Sequence, residues 1–261
     1  MSVESAGSTS PAHPSAPILV ATGVTKVYRT NAVEVPALRG IDLTIERGQF
    51  LAVMGASGSG KTTLLNCLSG LDDIDGGSVV VDGADIHAMA DARRTAHRAR
   101  SMGFIFQSFN LIPVLSAVEN VELPLLLTGV KAGPARERAR HMLDRVGLGQ
   151  RHGHRPGELS GGEQQRVAVA RALVGEPAIV WADEPTGNLD SQMAASVLDL
   201  LREVHDAGQT IVVVTHDAAI GGASRRLVRM QDGAIVSDGQ PDGDGRRPRR
   251  ARQRPIRVRP S

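Results

Sequence analysis

The chain of 261 residues, 41% hydrophobic and 22% charged, is long enough for one sizeable α/β domain, but aromatics are only 2%, so its core must rest on Val, Leu, Ile and Ala. The formal charge of +2 is unevenly placed: residues 246–259 hold eight arginines and no acid, and taking those eight from +2 leaves −6 on the remainder, which excludes a basic body made for nucleic acid. A single cysteine, Cys67, excludes an intrachain disulfide, and no apolar run approaches the ~18 residues that cross a bilayer.

Residues 1–17 are rich in Ser, Pro and Ala, with no basic segment leading into an apolar one. They read as a disordered leader, not a secretory signal. The apolar run Ile18–Ala21 opens the folded body. Strand patterns follow at Ile41–Ile45, Phe50–Met54 and Ser78–Val81, with Gly48 and Gly76-Gly77 as turns. A helix is predicted from Lys61 through Leu68, ending near Gly70, and a strand at Gly103–Gln107. From about Asn110 to Glu158 the pattern becomes helical, at Val118–Leu127 and at Pro134–Val146, the latter between an opening Pro and a closing Gly147. The alternation then returns: helix Gly162–Val174, strand Ala178–Ala182, helix Ser191–Asp206, strand Thr210–Thr215. Short strands at Arg226–Met230 and Ala234–Ser237 flank the turn signal Asp232-Gly233. Residues 239–261 read as a disordered Arg-rich tail. Strands alternating with helices predict a mostly parallel sheet covered on both faces.

Two segments carry chemistry. Gly55-x4-Gly60-Lys61-Thr62 follows an apolar strand and opens a helix. Its glycines let backbone N–H groups curl around phosphate oxygens, and the helix N-terminus adds partial positive charge. Lys61 can reach the β- and γ-phosphates, and the Thr62 hydroxyl can ligate Mg²⁺. Further on, Ala178–Ala182 delivers two adjacent carboxylates. Asp183 is suited to hold Mg²⁺, and Glu184 to polarise an attacking water.

Between these segments stands Leu159-Ser160-Gly161-Gly162-Glu163-Gln164-Gln165-Arg166. It resembles the signature sequence of the ATP-binding cassette (ABC) family, with Glu163 in the last signature position. The resemblance covers roughly residues 18–238, with a helical subdomain at about 108–160. It implies a P-loop NTPase fold: a RecA-like core, an antiparallel β subdomain and a helical signature subdomain. It implies ATP as substrate and Mg²⁺ as cofactor. The nucleotide contacts it implies are Tyr28 at the adenine and Gly55, Ala56, Ser57, Gly58, Ser59, Gly60, Lys61, Thr62 and Thr63 at the phosphates. Thr62, Gln107 and Asp183 would serve the metal, and Glu184, His216 and Gln107 the hydrolysis step. In that family two domains pair head to tail. Ser160, Gly161, Gly162, Glu163 and Asp190 would therefore act on the nucleotide of a second copy.

Three longer stretches, Phe104–Pro113, Glu119–Pro124 and Ala182–Ser191, are similar to the macrolide-exporter and lipoprotein-release group, which pairs with FtsX-like permeases. That implies an ATPase on the cytoplasmic face of a membrane, coupled to a separate integral permease for efflux or extraction. Phe109, Leu111, Ile112 and Pro113 would then lie near the permease's coupling helix. A regulatory member that drives its membrane partner without moving cargo is the alternative. A soluble cassette protein of DNA repair or translation fits less well, because those usually carry two cassettes or a long coiled-coil insertion. Cys67 reads as a small buried residue, and His152 and His154 as a solvated loop. The arginine tail could bind anionic headgroups at about 1 kcal/mol per residue, or be a solvated extension.

Overall fold

A computed structural model describes residues 16–29 and 33–241. The leader and the arginine tail expected from sequence fall largely outside those residues. Ten strands and seven α-helices are described, in two sheets. Strands β1 (Leu19–Arg29), β2 (Glu34–Ile45), β4 (Gly76–Val81) and β5 (Ala84–Asp85) form an antiparallel sheet in the order β2-β1-β4-β5. The other sheet contains β3 (Phe50–Gly55), β6 (Met102–Phe106), β7 (Ile179–Asp183), β8 (Ile211–Thr215), β9 (Arg226–Gln231) and β10 (Ala234–Gly239), ordered β10-β9-β3-β8-β7-β6. Its strands run parallel from β9 to β6, with β10 antiparallel at the edge.

The parallel sheet is buried on both faces, which explains why its strands are continuous apolar runs. In β8, Ile211 and Val213 enter one core and Val212 and Val214 the other. The first core lies under α3 (Ala117–Leu127), α4 (Ala132–Arg145), α5 (Gly161–Leu173) and α6 (Ser191–Asp206). The second packs α1 (Lys61–Ser69) and the antiparallel sheet against the opposite face, around a fully buried Trp181. Each fully buried Leu, Val or Ile contributes roughly 1.5–3 kcal/mol against exposure, so the two cores hold the strand ends in place.

The sequence expectations need three corrections. The parallel sheet and the separate antiparallel one match the expected core and antiparallel β subdomain, but β10 joins the parallel sheet antiparallel at its edge. The run Ile18–Ala21 is only the start of an 11-residue strand, and β2 begins at Glu34, well before Ile41. The extension of β1 is irregular in register and half-buried and that of β2 is largely exposed, so neither shows the clean alternation by which strands are read. Helix α2 (Asp91–Ser101) was not predicted, and it buries no residue, so no apolar stripe announces it. A final short helix, α7 (Ala218–Ala223), was also missed.

Candidate functional site

The candidate site lies at the carboxyl ends of the parallel strands, where open α/β sheets bind ligands. Gly55 ends β3 and Gly60 caps α1. Gly60 has φ of +96°, and a Cβ there would fall 2.5 Å from the Ala37 carbonyl oxygen, so only glycine fits. Helix α1 receives no side-chain cap and has no acid in its first turn. Its first N–H groups are left for an anion. Lys61 is 8% exposed, and its Nζ donates to the carbonyls of Gly55 and Ala56 at 2.9 and 3.0 Å. An ammonium has three donors, so one remains for a ligand in the loop.

These residues line a cavity of about 880 Å³. Its wall includes Gly55–Gly58, Gly60–Thr63, Tyr28, Glu184 and His216. Val35, Pro36, Ala37, Arg39, Asp232 and Gly233, which the sequence reading missed, complete it. Their signal lay in the turn Asp232-Gly233: Arg39 N–H donates to the Gly233 carbonyl, and Gly233 N–H to that of Ser59, tying both sheets to the loop. Ser59 is buried and its hydroxyl has no partner. A groove of 760 Å³ opens at the other ends of the strands, lined by Arg47, Arg138, His141 and Arg145 among others, and contains none of the expected site residues.

Thr62 Oγ1 donates to Asp183 Oδ1 at 3.2 Å, across the gap between α1 and β7. Burial pushes the Asp183 carboxyl above its ordinary range; neighbouring Glu184 adds to this, and the Thr62 hydrogen bond works against it. A hydroxyl and one carboxylate make an oxygen-only donor set, suited to a hard cation that keeps several waters and takes phosphate oxygens. Among the described residues no group of three His, Cys, Asp or Glu could hold a metal without such help.

Glu184 adopts φ of +46°, a left-handed conformation for a residue with a Cβ. Three donors hold its carboxylate. Thr215 Oγ1 and His216 N–H reach Oε2 at 3.1 and 3.3 Å, and His216 Nδ1 reaches Oε1 at 2.9 Å. Against an ionised carboxylate Nδ1 must be the protonated nitrogen, which leaves Nε2 open. Glu184 is 17% exposed and His216 73%, so the carboxylate is sheltered while the imidazole projects outward.

Tyr28 is held at the cavity edge by its hydroxyl, which donates to Asp72 Oδ2 at 2.8 Å. Lys26 Nζ donates to the same carboxylate at 2.7 Å and lies 5.2 Å from the Tyr28 ring centroid. Burial opposes the Asp72 charge, but the hydrogen bonds from Lys26 and Tyr28 keep its carboxyl below the usual range. Cys67, on the buried face of α1, has its thiol pushed up to about 12 by burial, which makes it inert at neutral pH.

Ser160, Gly162, Glu163 and Asp190 do not reach this cavity; they line a separate groove with Arg166, Gln192, Met193 and Ser196. Ser160 caps α5 in a reciprocal capping box. Its Oγ accepts from Glu163 N–H at 3.3 Å, and Glu163 Oε2 accepts from Ser160 N–H at 2.8 Å. A Cβ on Gly162 would meet Met193 at 3.1 Å, and one on Gly161 would sit 3.5 Å from Leu189. Gln107 is absent from the cavity wall too. Its Nε2 donates to Asn188 Oδ1 at 3.1 Å. The buried Gln165 and the half-buried Arg171 also brace this region. Gln165 donates to the Pro185 carbonyl at 2.6 Å, and Arg171 donates to the carbonyls of Phe109 and Asn110.

The chain is similar to known proteins of one family. A family model described as ABC transporter matches residues 38–187. A Thermotoga maritima protein named "Uncharacterized ABC transporter ATP-binding protein" is 47% identical over 212 residues, 81% of this chain and 91% of that one. The lipoprotein-releasing system ATP-binding protein LolD of Saccharophagus degradans is 45% identical over 227 residues, covering 87% of this chain and all of LolD. The macrolide export ATP-binding/permease protein MacB of Hyphomonas neptunium is 45% identical over 222 residues, and the chain spans only 34% of its length. Among solved structures, a dimeric post-hydrolysis state of the ATP-binding cassette MJ0796 bound to ADP and Pi superposes with a TM-score of 0.79 at 38% identity, over 87% of this chain and 100% of that one.

Proposed function

This chain belongs to the ABC transporter family as an ATP-binding subunit with ATPase activity, and from that premise we propose that two copies close head to tail over two ATP molecules and drive a separate, FtsX-like membrane permease for efflux or lipoprotein extraction. One observation carries the reading. The phosphate loop and the Ser160–Glu163 helix start lie on different grooves of one chain. A second copy can bring one against the other.

In the closed dimer, the uncapped α1 N-terminus, the loop amides and Lys61 hold the phosphates, and Tyr28 stacks on the adenine. Glu184 accepts a proton from the attacking water, in the orientation that Thr215 and His216 impose on it. His216 turns its open Nε2 toward the terminal phosphate. Ser160 and the Gly162 N–H of the other copy complete the cage. Thr62 and Asp183, joined by Gln107, would hold Mg²⁺; bound there, the ion neutralises charge on the phosphate oxygens. The permease's coupling helix is assigned to an apolar groove of about 360 Å³ walled by Phe104, Phe106, Leu123, Pro124 and Leu127. Of the residues expected there, Ile112 and Pro113 are exposed nearby in sequence, while Leu111 packs against the core. Among the described residues no helix is long and apolar enough to cross a membrane. Similarity to LolD and MacB supports a position on the cytoplasmic face of a membrane, held there by a permease.

The test is the dependence of Mg²⁺-ATPase turnover on subunit concentration. Turnover per chain should rise with concentration below the dimerisation constant and then saturate. A rate per chain that does not change on dilution to monomer contradicts the composite site.

A further inference from the structure

Gln107 and Asn188 form a reciprocal pair across two loops. Asn188 Nδ2 donates to the backbone carbonyl of Gln107 at 3.0 Å, and Gln107 Nε2 donates to Asn188 Oδ1 at 3.1 Å. The pairing leaves each amide only one orientation. A backbone carbonyl can only accept, so the Asn188 edge facing it must be the NH₂. That turns Asn188 Oδ1 toward the Gln107 side chain. An oxygen there can be met only by an NH₂, so the Gln107 edge facing it must be Nε2. The atom left on the free edge of Gln107 is Oε1, a hard acceptor.

The surroundings hold this arrangement. A Cβ on Gly187 would fall 2.8 Å from Gln107 Nε2, so the glycine before Asn188 is what lets the two loops approach. On the other side, Phe109 and Asn110 both adopt left-handed φ, of 57° and 49°. Arg171 donates to both of their carbonyls, and burial pulls its guanidinium below the usual range. The Gln107 loop is thus gripped at its start by Asn188 and two residues on by the helix that begins at Ser160.

We propose that Asn188 is a positioning residue for Gln107: it sets the side-chain amide so that Oε1, not the NH₂, is presented to the cation and water at the phosphates. This rests on the assignment of Gln107 to that role. Asn188 itself touches neither. It lies two residues before Asp190, on the segment leading to the groove assigned to the second copy. Movement of that segment on dimer closure is thereby passed to the Gln107 amide.

The experiment compares Asn188→Leu, Asn188→Asp, Gln107→Ala and the Gln107→Ala/Asn188→Leu double variant with the unaltered chain. The first readout needs neither metal nor nucleotide: the ¹⁵N–¹H resonances of the Gln107 side-chain amide, identified by their absence in Gln107→Ala. They should be dispersed and slow to exchange in the native chain, and collapse toward free-amide positions in Asn188→Leu. The second is the Mg²⁺ concentration for half-maximal ATPase, which should rise about tenfold in Asn188→Leu, with turnover falling by a similar factor. Asn188→Asp keeps an acceptor for Nε2 but loses the donor, so it should fall between the two. It also serves if the leucine variant folds poorly. The double variant should be no slower than Gln107→Ala alone. Unmoved amide resonances and an unmoved Mg²⁺ requirement in Asn188→Leu, with Gln107→Ala impaired, would overturn the proposal while sparing the role of Gln107. Wild-type turnover in Gln107→Ala would remove that role and the proposal with it.

Discussion

The two glycine-rich helix starts of this chain are built in opposite ways. Helix α1 begins at Gly60 with no side-chain cap and no acid in its first turn, so its amides are unmet. Helix α5 begins at Ser160 with a full capping box, so the N–H groups of Glu163 and Ser160 are already met by the chain itself. The uncapped end needs an anion to complete it. The capped end is met in part by its own side chains and has a hydroxyl hydrogen and the glycine N–H groups left to offer. The contrast supports the proposed division of labour, in which α1 holds the phosphates and the α5 start meets a nucleotide held by the second copy.

The most severe way to test the contrast is to stop the chemistry with both ends engaged. Glu184→Gln should lower turnover about 10³-fold and leave ATP affinity within a few-fold. A nucleotide-dependent dimer should then accumulate, visible by light scattering; continued turnover would remove Glu184 as the base. Next in size, Gly60→Ala forces a Cβ against the Ala37 carbonyl at a positive φ. It should cost about 1–3 kcal/mol of stability and abolish tight ATP binding, measured by calorimetry. Ser160→Asp separates capping from ligand contact. Aspartate caps as well as serine, so thermal stability should hold within about 0.5 kcal/mol, while its charge against the partner's γ-phosphate eliminates ATP-driven dimerisation. If Ser160→Asp dimerised normally, the α5 start would be a structural cap and nothing more.

The smallest effect concerns Asp183, whose carboxyl burial raises above its unfolded range. The sign follows from linkage: a raised carboxyl favours the folded chain while protonated, and that contribution is lost as pH climbs through its folded value. Measured against Asp183→Asn, metal-free protein should therefore lose melting temperature as pH rises from below 4 toward neutrality, while Asp72, Asp75, Glu119 and Glu163, whose carboxyls lie below their ordinary range, act alike in both. Asp183→Asn should flatten that slope and melt higher at pH 7, though inactive. A lower melting temperature for Asp183→Asn would mean the carboxylate is well solvated or paired.

The same contrast marks what the sequence could reveal. The strand–loop–helix at Gly55–Thr62 was legible because its chemistry is local: glycines, one lysine and a hydroxyl in consecutive positions. The parallel strands were legible because burial on both faces makes them uniformly apolar, as in Ile211–Val214. The long antiparallel strands were not, since β1 shifts register three times and the first half of β2 is largely exposed, and α2 buries nothing. The site's supports were harder still to read. Thr215 on the Glu184 carboxylate, Asp72 on Tyr28 and Lys26, and Asn188 on Gln107 are pairings between residues 31 to 81 positions apart. Nothing in local composition distinguishes them from solvated polar residues.

The central claim is that each ATP site is shared between two chains, and mixing two crippled subunits tests it most directly. Lys61→Ala retains an intact α5 start, and Ser160→Asp an intact phosphate loop; each should be inactive alone. Combined in equal amounts, half the dimers are mixed and each has one complete site, so about a quarter of the wild-type sites return. ATPase activity appearing on mixing, and growing with the product of the two concentrations, is the predicted result. A mixture no more active than its two components measured apart would contradict the shared site.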